Sequence, residues 1–385
     1  MSSQAEQILC AARDLAPRIR ARAAEIEHAR RIPLDLVVEL RAAGFFRMLL
    51  PRSHGGLEVE YPPTLDVLAE LAAADGATGW TVMIGSESPQ LLALLPRKSF
   101  DETYAASPDV IIAGAFAPQG RATPVEGGLR VTGRWGFASG CQHADWLFGN
   151  CALVDSAATT EPSAPPGLRC ALAPARDWTI HDTWRTAGLR GTGSHDIEAL
   201  DLLVPAERSF VLFGGVPTLP GPLFQAPLLQ ASLHIGAVAL GIAEGAFADL
   251  VAFAGTRKKR LYAATTLPDS VLFQHRLGHA EADLQAARAL LRERAEQLWS
   301  KACAGDVEPS FMPRVIQTSA WVAETAARVV DVCYTAAGGS ALYESSPLQR
   351  RLRDIHTLTQ HASLQDSVFT NAGAALLGRP GGFGL

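Results

Sequence analysis

The sequence predicts an α+β protein in which a helical segment, a β-rich segment and a second helical segment follow one another along 385 residues. Three patterns underlie that expectation. Apolar residues recur at three- and four-residue steps near the start, short β-rich runs broken by glycine and proline fill the middle, and seven-residue apolar seams return near the end. The length fits two or three domains of roughly 100–200 residues each.

In the first segment, Ile8, Ala12, Leu15, Ile19, Ala23 and Ile26 lie at the steps that one buried helix face requires. A second helix opens at Pro33, where a missing N–H leaves no bond unmade, and stops at Gly44. Helices from Thr64 and from Thr81 follow, with Pro89 interrupting the latter. From Val110 the texture changes. The runs at 110–112, 129–132, 145–154, 168–172 and 197–204 suggest a small antiparallel sandwich or barrel, with Ala157 to Gly167 as a surface loop. Beyond the Gly- and Pro-rich connector at 214–227, Leu277, Leu284, Leu291 and Leu298 repeat every seven residues, with Ala280 and Ala287 between them. Ile316, Ala323, Val330 and Ala337 repeat likewise beside Ala320, Ala327 and Tyr334, as an antiparallel four-helix bundle requires. The expected domains are therefore 1–109 (helical), 110–213 (β) and 214–385 (helical bundle).

Composition narrows the function. With 48% apolar and 19% charged residues, a large core forms. The charge of 34 − 39 = −5 leaves no basic excess to neutralise phosphates, so no nucleic-acid partner is expected. Six cysteines without a CxxC pair read as intracellular free thiols. The N-terminus lacks a signal-peptide h-region, which points to a cytoplasmic protein. The apolar stretch from Pro227 to Ala254 is long enough to span a membrane. It carries His234, Glu244 and Asp249, which suits a helix buried in a bundle and argues against a membrane.

Two segments stand out as chemistry. Gly133-Arg-Trp-Gly-Phe-Ala-Ser-Gly-Cys-Gln-His-Ala-Asp-Trp146 crowds a hydroxyl, a thiol and an imidazole into one turn. Gly188-Leu-Arg-Gly-Thr-Gly-Ser-His-Asp-Ile197 is rich in glycine but leads into a strand; a phosphate-binding loop needs a helix there. No other glycine cluster supplies a nicotinamide-binding βαβ unit. His275 and His279 lie four apart with Glu281 nearby, yet without a third ligand at HExxH-like spacing the pair reads as structural, and no metal is expected.

With these motifs in place, the chain resembles the acyl-CoA dehydrogenase-like superfamily of flavoproteins. The order of helical, β and four-helix-bundle regions matches. Ser139 and its neighbours resemble the turn that touches the flavin ring, and GLRGTGS followed by Leu202-Leu-Val-Pro205 resembles the family's β-domain ending. Gly338-Gly339, with Glu344, Pro347, Arg350 and Arg353-Asp354 beyond, resembles the C-terminal flavin-contacting stretch. One departure bears on the chemistry. Many acyl-CoA dehydrogenases place a Tyr-Glu-Gly-Thr run with the catalytic base a few residues after the Arg-Asp pair. This chain reads Arg353-Asp-Ile-His-Thr-Leu-Thr-Gln-His361-Ala-Ser, with no carboxylate until Asp366. The FASGCQHADW and GTGSHD wording is more similar to the flavin-dependent monooxygenase branch, the oxygenase components of two-component hydroxylases.

That resemblance implies a reduced flavin, FMN or FAD, supplied by a separate reductase. It reacts with O2 through a C4a-hydroperoxide to hydroxylate an aromatic or heteroaromatic small molecule. It implies Ser139 at the flavin N5, Phe137 and Ala138 against the isoalloxazine, Gln274 and Gly338-Gly339 on the cofactor, and His361 near the reactive edge. At its unperturbed pKa near 6.5 an imidazole there acts either way around neutrality. Trp80 and His143 are expected to line the substrate pocket. The Arg-x-x-Phe-Gly that normally precedes the Phe-Gln pair is absent; Arg257 or Arg260 stands in as the phosphate contact, which leaves FMN and FAD both open. The family implies a homotetramer with bundle helices between subunits. A dehydrogenase or nitroalkane-oxidase-like enzyme with His361 or Asp366 as base, and a catalytically silent binding or assembly relative, remain as alternatives.

Overall fold

The computed structural model describes residues 3–154, 167–256 and 265–379. Seven helices come first: α1 (Ser3–Ala21), α2 (Ala23–Ala29), α3 (Leu34–Ala42), α4 (Tyr61–Ala74), α5 (Gly76–Ser86), α6 (Ser88–Leu92) and α7 (Arg97–Tyr104). Helix α5 starts well before the expected Thr81, and its cap explains why. Asp75 accepts from the backbone N–H and the hydroxyl of Thr78 at 2.8 and 2.9 Å, satisfying a donor that a helix start leaves open. The helix is interrupted next to Pro89, as expected: α5 ends at Ser86, and Pro89 sits in the first turn of α6, where its missing N–H costs nothing.

The middle of the chain forms β1 (Ile112–Val125), β2 (Gly128–Ala138), β3 (Trp146–Leu153), β4 (Leu168–Pro174), β5 (Thr179–His181), β6 (His195–Pro205) and β7 (Ser209–Phe210). They make one sheet in the order β5-β6-β2-β1-β3-β4-β7. The expectation of an all-antiparallel arrangement is corrected here. After the β1–β2 hairpin the chain returns across the sheet, so β3 pairs with the far side of β1 in parallel, with Ile112 opposite Trp146. Most of the expected surface loop at 157–167 lies outside the described residues.

The sheet has its own core around Trp135, which is fully buried and donates from Nε1 to the Asn150 carbonyl at 2.7 Å. Its indole reaches past β1, and that reach is possible because two neighbours lack a side chain. A Cβ on Gly120 would come within 2.0 Å of the indole, and one on Gly149 within 2.6 Å. Trp178 meets the same ring edge-on at 5.4 Å.

The last segment holds α8 (Pro227–Gly255), α9 (Val271–Ala304), α10 (Met312–Ala337), α11 (Pro347–Leu358) and α12 (Ser367–Leu376). The heptad rows do what their spacing requires. Ala280, Leu284, Ala287, Leu291 and Leu298 of α9 are buried, as are Ala320, Ala323, Ala327, Val330 and Ala337 of α10; Leu277, Ile316 and Tyr334 are half-buried at the seam's margin. Helix α8, the one described helix long and apolar enough to cross a membrane, packs against α4, α9, α10 and α11. Each of its charged or titratable interior groups has a partner: His234 meets Glu87 at 2.8 Å, Glu244 meets Arg288 at 2.6 Å, and Asp249 meets Arg351 at 3.2 Å. Buried polar groups with partners are tolerable where bare ones are not.

Arg351 ties three helices together. Its buried guanidinium donates to the carbonyls of Ala72 and Ala73 at the end of α4, at 3.1 and 2.5 Å, as well as to Asp249 of α8. A cation suits the negative end of α4. The junction of α4 and α5 is thereby fixed, and α5 carries Trp80.

Candidate active site

Trp80 is the hub. It lies in α5, 7% exposed, and its Nε1–H donates to Ser139 Oγ at 3.1 Å, where β2 ends. On its other side the His361 ring stands 5.6 Å from the indole with an interplanar angle of 61°. Three elements far apart in sequence thus bring a hydroxyl, an indole and a half-buried imidazole into one cluster.

Ser139 follows Phe137, a non-glycine residue in the left-handed region with φ 65°. That backbone conformation is uncommon and costs free energy. It turns the Phe137 ring outward, 75% exposed and edge-on to Trp184 at 5.9 Å, while Ala138 stays fully buried. An aromatic face held out beside a buried hydroxyl is a surface suited to a flat ring. Burial pushes the neighbouring Cys141 thiol up to about 12, so it stays protonated near neutrality.

The GLRGTGS segment lies directly behind Ser139. Its hydroxyls run in series: Ser139 Oγ to Ser194 Oγ at 2.7 Å, Ser194 Oγ to Thr192 Oγ1 at 2.7 Å, and Thr192 Oγ1 to the Leu189 carbonyl at 2.8 Å. The glycines serve close packing. A Cβ on Gly188 would lie 2.0 Å from the Arg353 carbonyl, so this loop sits on α11. Asp354 of α11 accepts from the Leu189 N–H at 2.6 Å. Burial, reinforced by the nearby Asp75 carboxylate, raises Asp354 to about 7. Two motifs separated by more than 150 residues in the sequence therefore meet in one joint.

His361 opens the short turn at 362–364, where its Nδ1 accepts from the Ser363 N–H at 3.3 Å and meets Ser363 Oγ at 2.7 Å. An accepting Nδ1 puts the ring proton on Nε2. Burial pushes this imidazole down to about 4, so it is neutral at pH 7. It therefore presents one N–H as a donor.

The remaining sequence-predicted residues fall at different distances from this hub. His143 is buried, four residues past Ser139, and neither ring nitrogen has a partner among the described residues; burial first, then Arg31 and Arg41, lowers it to about 4. Gly338 ends α10 with φ +62°, and Gly339 next to it is open on its Cα side. Gln274 is exposed at the head of α9, where its amide donates to the Pro268 carbonyl at 2.9 Å, and no described contact joins it to Trp80. Arg257 and Arg260 lie outside the described residues. Asp366, the other candidate base, is exposed before α12. His275 and His279 meet in a T-shaped contact at 4.6 Å, and no group of three metal-ligating side chains forms among the described residues. Sequence reading passed over Thr192, Ser194 and Ser363. The signal for the first two was the pair of hydroxyls two residues apart in GTGS.

Helices, a central sheet and a bundle around an aromatic-flanked hydroxyl define an acyl-CoA dehydrogenase-like flavoprotein. Models of the acyl-CoA dehydrogenase N-terminal domain and C-terminal domain match residues 2–94 and 233–366. An indole-3-acetate monooxygenase of Pseudomonas putida is 35% identical over 364 residues, covering 94% of this chain and 91% of that protein. The oxygenase subunit HsaA of a flavin-dependent monooxygenase from Mycobacterium tuberculosis is 30% identical over 371 residues, covering 93% and 92%. The structure of XiaF from Streptomyces sp., in complex with FADH2 and glycerol, superposes with a TM-score of 0.92 at 28% identity, covering 98% of this chain and 96% of that one. The chain belongs to the flavin-dependent monooxygenases of this fold, as an oxygenase component.

Proposed function

We propose that Trp80, Ser139 and His361 form the reacting edge of a site that takes reduced FMN or FAD against Phe137, Ala138 and Ser139. An aromatic or heteroaromatic small molecule sits beside His361. The observation that carries this reading is the Trp80 indole, which donates its N–H to the Ser139 hydroxyl and meets the His361 ring in a T-shaped contact at 5.6 Å. The residues present suit a flavin: an outward phenyl ring, a buried hydroxyl at the edge it marks, and open space over the Cα of Gly339. When bound, reduced flavin supplies the two electrons with which O2 delivers one oxygen atom to the substrate while the other leaves as water.

The chain's own residues do the rest. Ser139 Oγ accepts a hydrogen bond from the flavin N5–H and keeps that proton in place. His361 donates from Nε2 to the substrate's hydroxyl or π-rich edge. Trp80 and Ala138 keep water from the edge. His143, whose ring nitrogens have no partner among the described residues, lines the substrate side. The names of relatives support an aromatic substrate, since they include an indole-3-acetate monooxygenase and a resorcinol hydroxylase.

A separate reductase supplies the reduced flavin. The described sheet has one parallel pair, joined without a helical crossover of the nicotinamide-binding kind. Exposed Leu342, Tyr343, Leu376 and Leu377 on the bundle support self-association as a homotetramer, with Gln274 reaching a neighbour's cofactor. We place the protein in the cytoplasm.

The test is oxygen transfer. Purified protein given chemically reduced FMN or FAD, 18O2 and indole-3-acetate or resorcinol should yield a hydroxylated product carrying one 18O atom. Reduction of bound flavin by an acyl-CoA, with no labelled product from any aromatic tried, would reject the proposal in favour of a dehydrogenase.

A further inference from the structure

The hydroxyl series behind Ser139 has a fixed direction. Three O···O contacts of 2.7, 2.7 and 2.8 Å link Ser139, Ser194, Thr192 and the Leu189 carbonyl. Each contact that short needs a proton between its oxygens, since two facing lone pairs repel. The three hydroxyls own three protons and the carbonyl owns none. Only one assignment fills every contact. Thr192 donates to the Leu189 carbonyl, Ser194 donates to Thr192, and Ser139 donates to Ser194.

The outer end of the series follows. Ser139 Oγ has given its proton inward, and one of its lone pairs takes the Trp80 Nε1–H at 3.1 Å. What remains is a single lone pair. Ser139, Ser194, Thr192 and Trp80 are all at least nine-tenths buried, so water does not readily re-polarise the series. Ser139 is thereby locked as a hydrogen-bond acceptor on the side it presents to a ligand.

We infer that Thr192 and Ser194 are positioning residues that make this site select the redox state of its flavin. The inference rests on the reading that Ser139 meets N5. Reduced flavin carries a hydrogen on N5 and matches an acceptor. Oxidised flavin has a bare lone pair on N5, which would face another lone pair. The locked hydroxyl series therefore favours reduced flavin on arrival and weakens the hold on oxidised flavin once oxygen transfer is complete. A free serine hydroxyl would rotate and serve both states.

The test compares affinities for the two states and needs no turnover. Oxidised FMN or FAD is titrated in air and the reduced form anaerobically, for the wild type and four variants. Thr192→Val removes the acceptor that holds the Ser194 proton, yet leaves the Leu189 carbonyl its bonds from the Trp184 indole and the Thr192 N–H. Ser194 can then donate to Ser139, and Ser139 outward. The preference for reduced flavin should fall about tenfold, which is about 30 mV in the midpoint potential of the bound two-electron couple. Ser194→Ala should behave alike if the valine variant folds poorly. Thr192→Ser restores the series and should keep the wild-type ratio.

Ser139→Ala separates the two ideas. If it loses the preference while Thr192→Val and Ser194→Ala keep it, the directed series is wrong and the N5 contact stands. If Ser139→Ala leaves the preference untouched, the N5 contact is wrong and the selection with it.

Discussion

His361, proposed at the reacting edge, is held neutral by burial, which makes its titration decisive. An ordinary imidazole with pKa near 6.5 is about three-quarters charged at pH 6. Burial beside Trp80 pushes His361 down to about 4, which leaves roughly one molecule in a hundred charged at that pH. Its Nδ1 is occupied by Ser363, so the ring acts as a neutral donor from Nε2. Activity should therefore show no ionisation from this group anywhere between pH 5 and 8. Removing the donor with His361→Ala should cost one neutral hydrogen bond, about 0.5–1.5 kcal/mol, or roughly 2–12-fold in kcat/KM. His361→Gln keeps an N–H of similar reach and should recover part of that loss. The assay is product formation by chromatography across that pH range, with reduced flavin supplied and a substrate that does not itself titrate there. A limb near pH 6.5 in the wild type that disappears in His361→Gln would mean a solvated, titrating imidazole, and the assignment of a dry neutral donor would fall.

Other expectations follow from single contacts. Ser139→Ala removes the proposed acceptor for N5–H and should raise the ratio of hydrogen peroxide to product by about 3–10-fold, measured by peroxide assay beside chromatography. Arg351→Met leaves the buried Asp249 without its cation and the α4 carbonyls without donors, and should destabilise the fold by about 3–5 kcal/mol in urea unfolding. An Asp249→Leu change added to it should restore part of the loss. Asp354, raised to about 7 by burial and Asp75, favours the protonated form in the fold. Its contribution is full below the unfolded value near 3.8 and is lost as pH rises towards 7. Asp354→Asn keeps an oxygen for the Leu189 N–H and has no such loss, so its stability relative to wild type should rise with pH by ~4 kcal/mol at most across that window. Parallel stability curves for the two proteins between pH 4 and 7 would contradict this.

Much of the architecture was legible in local pattern. The apolar rows of α9 and α10 are buried where the seven-residue spacing places them, because a helix face is fixed by residues three and four apart. The charged groups of α8 already argued for a bundle core, and their partners Glu87, Arg288 and Arg351 supply the reason. Capping was less legible. Asp75 sets the start of α5 through Thr78, and a sequence rich in small residues around 72–79 gives that start little apolar contrast.

The β region marks the limit of local reading. Alternating residues identify strands, but which strands become neighbours depends on contacts between distant segments, and the parallel β1–β3 pair follows from the return of the chain across the hairpin. The site divides the same way. Sequence by itself determined the residue types: a serine after an aromatic turn, an imidazole at 361 with no carboxylate between Asp354 and Asp366, and glycines around 188–193. Tertiary structure alone decided that Trp80 joins residues 139 and 361, that Ser194 and Thr192 orient a proton, and that desolvation lowers His361. Hydrogen-bond direction and desolvation belong to the set of atoms gathered around a group, and those atoms come from α5, the end of β2, the loop before β6 and the turn after α11.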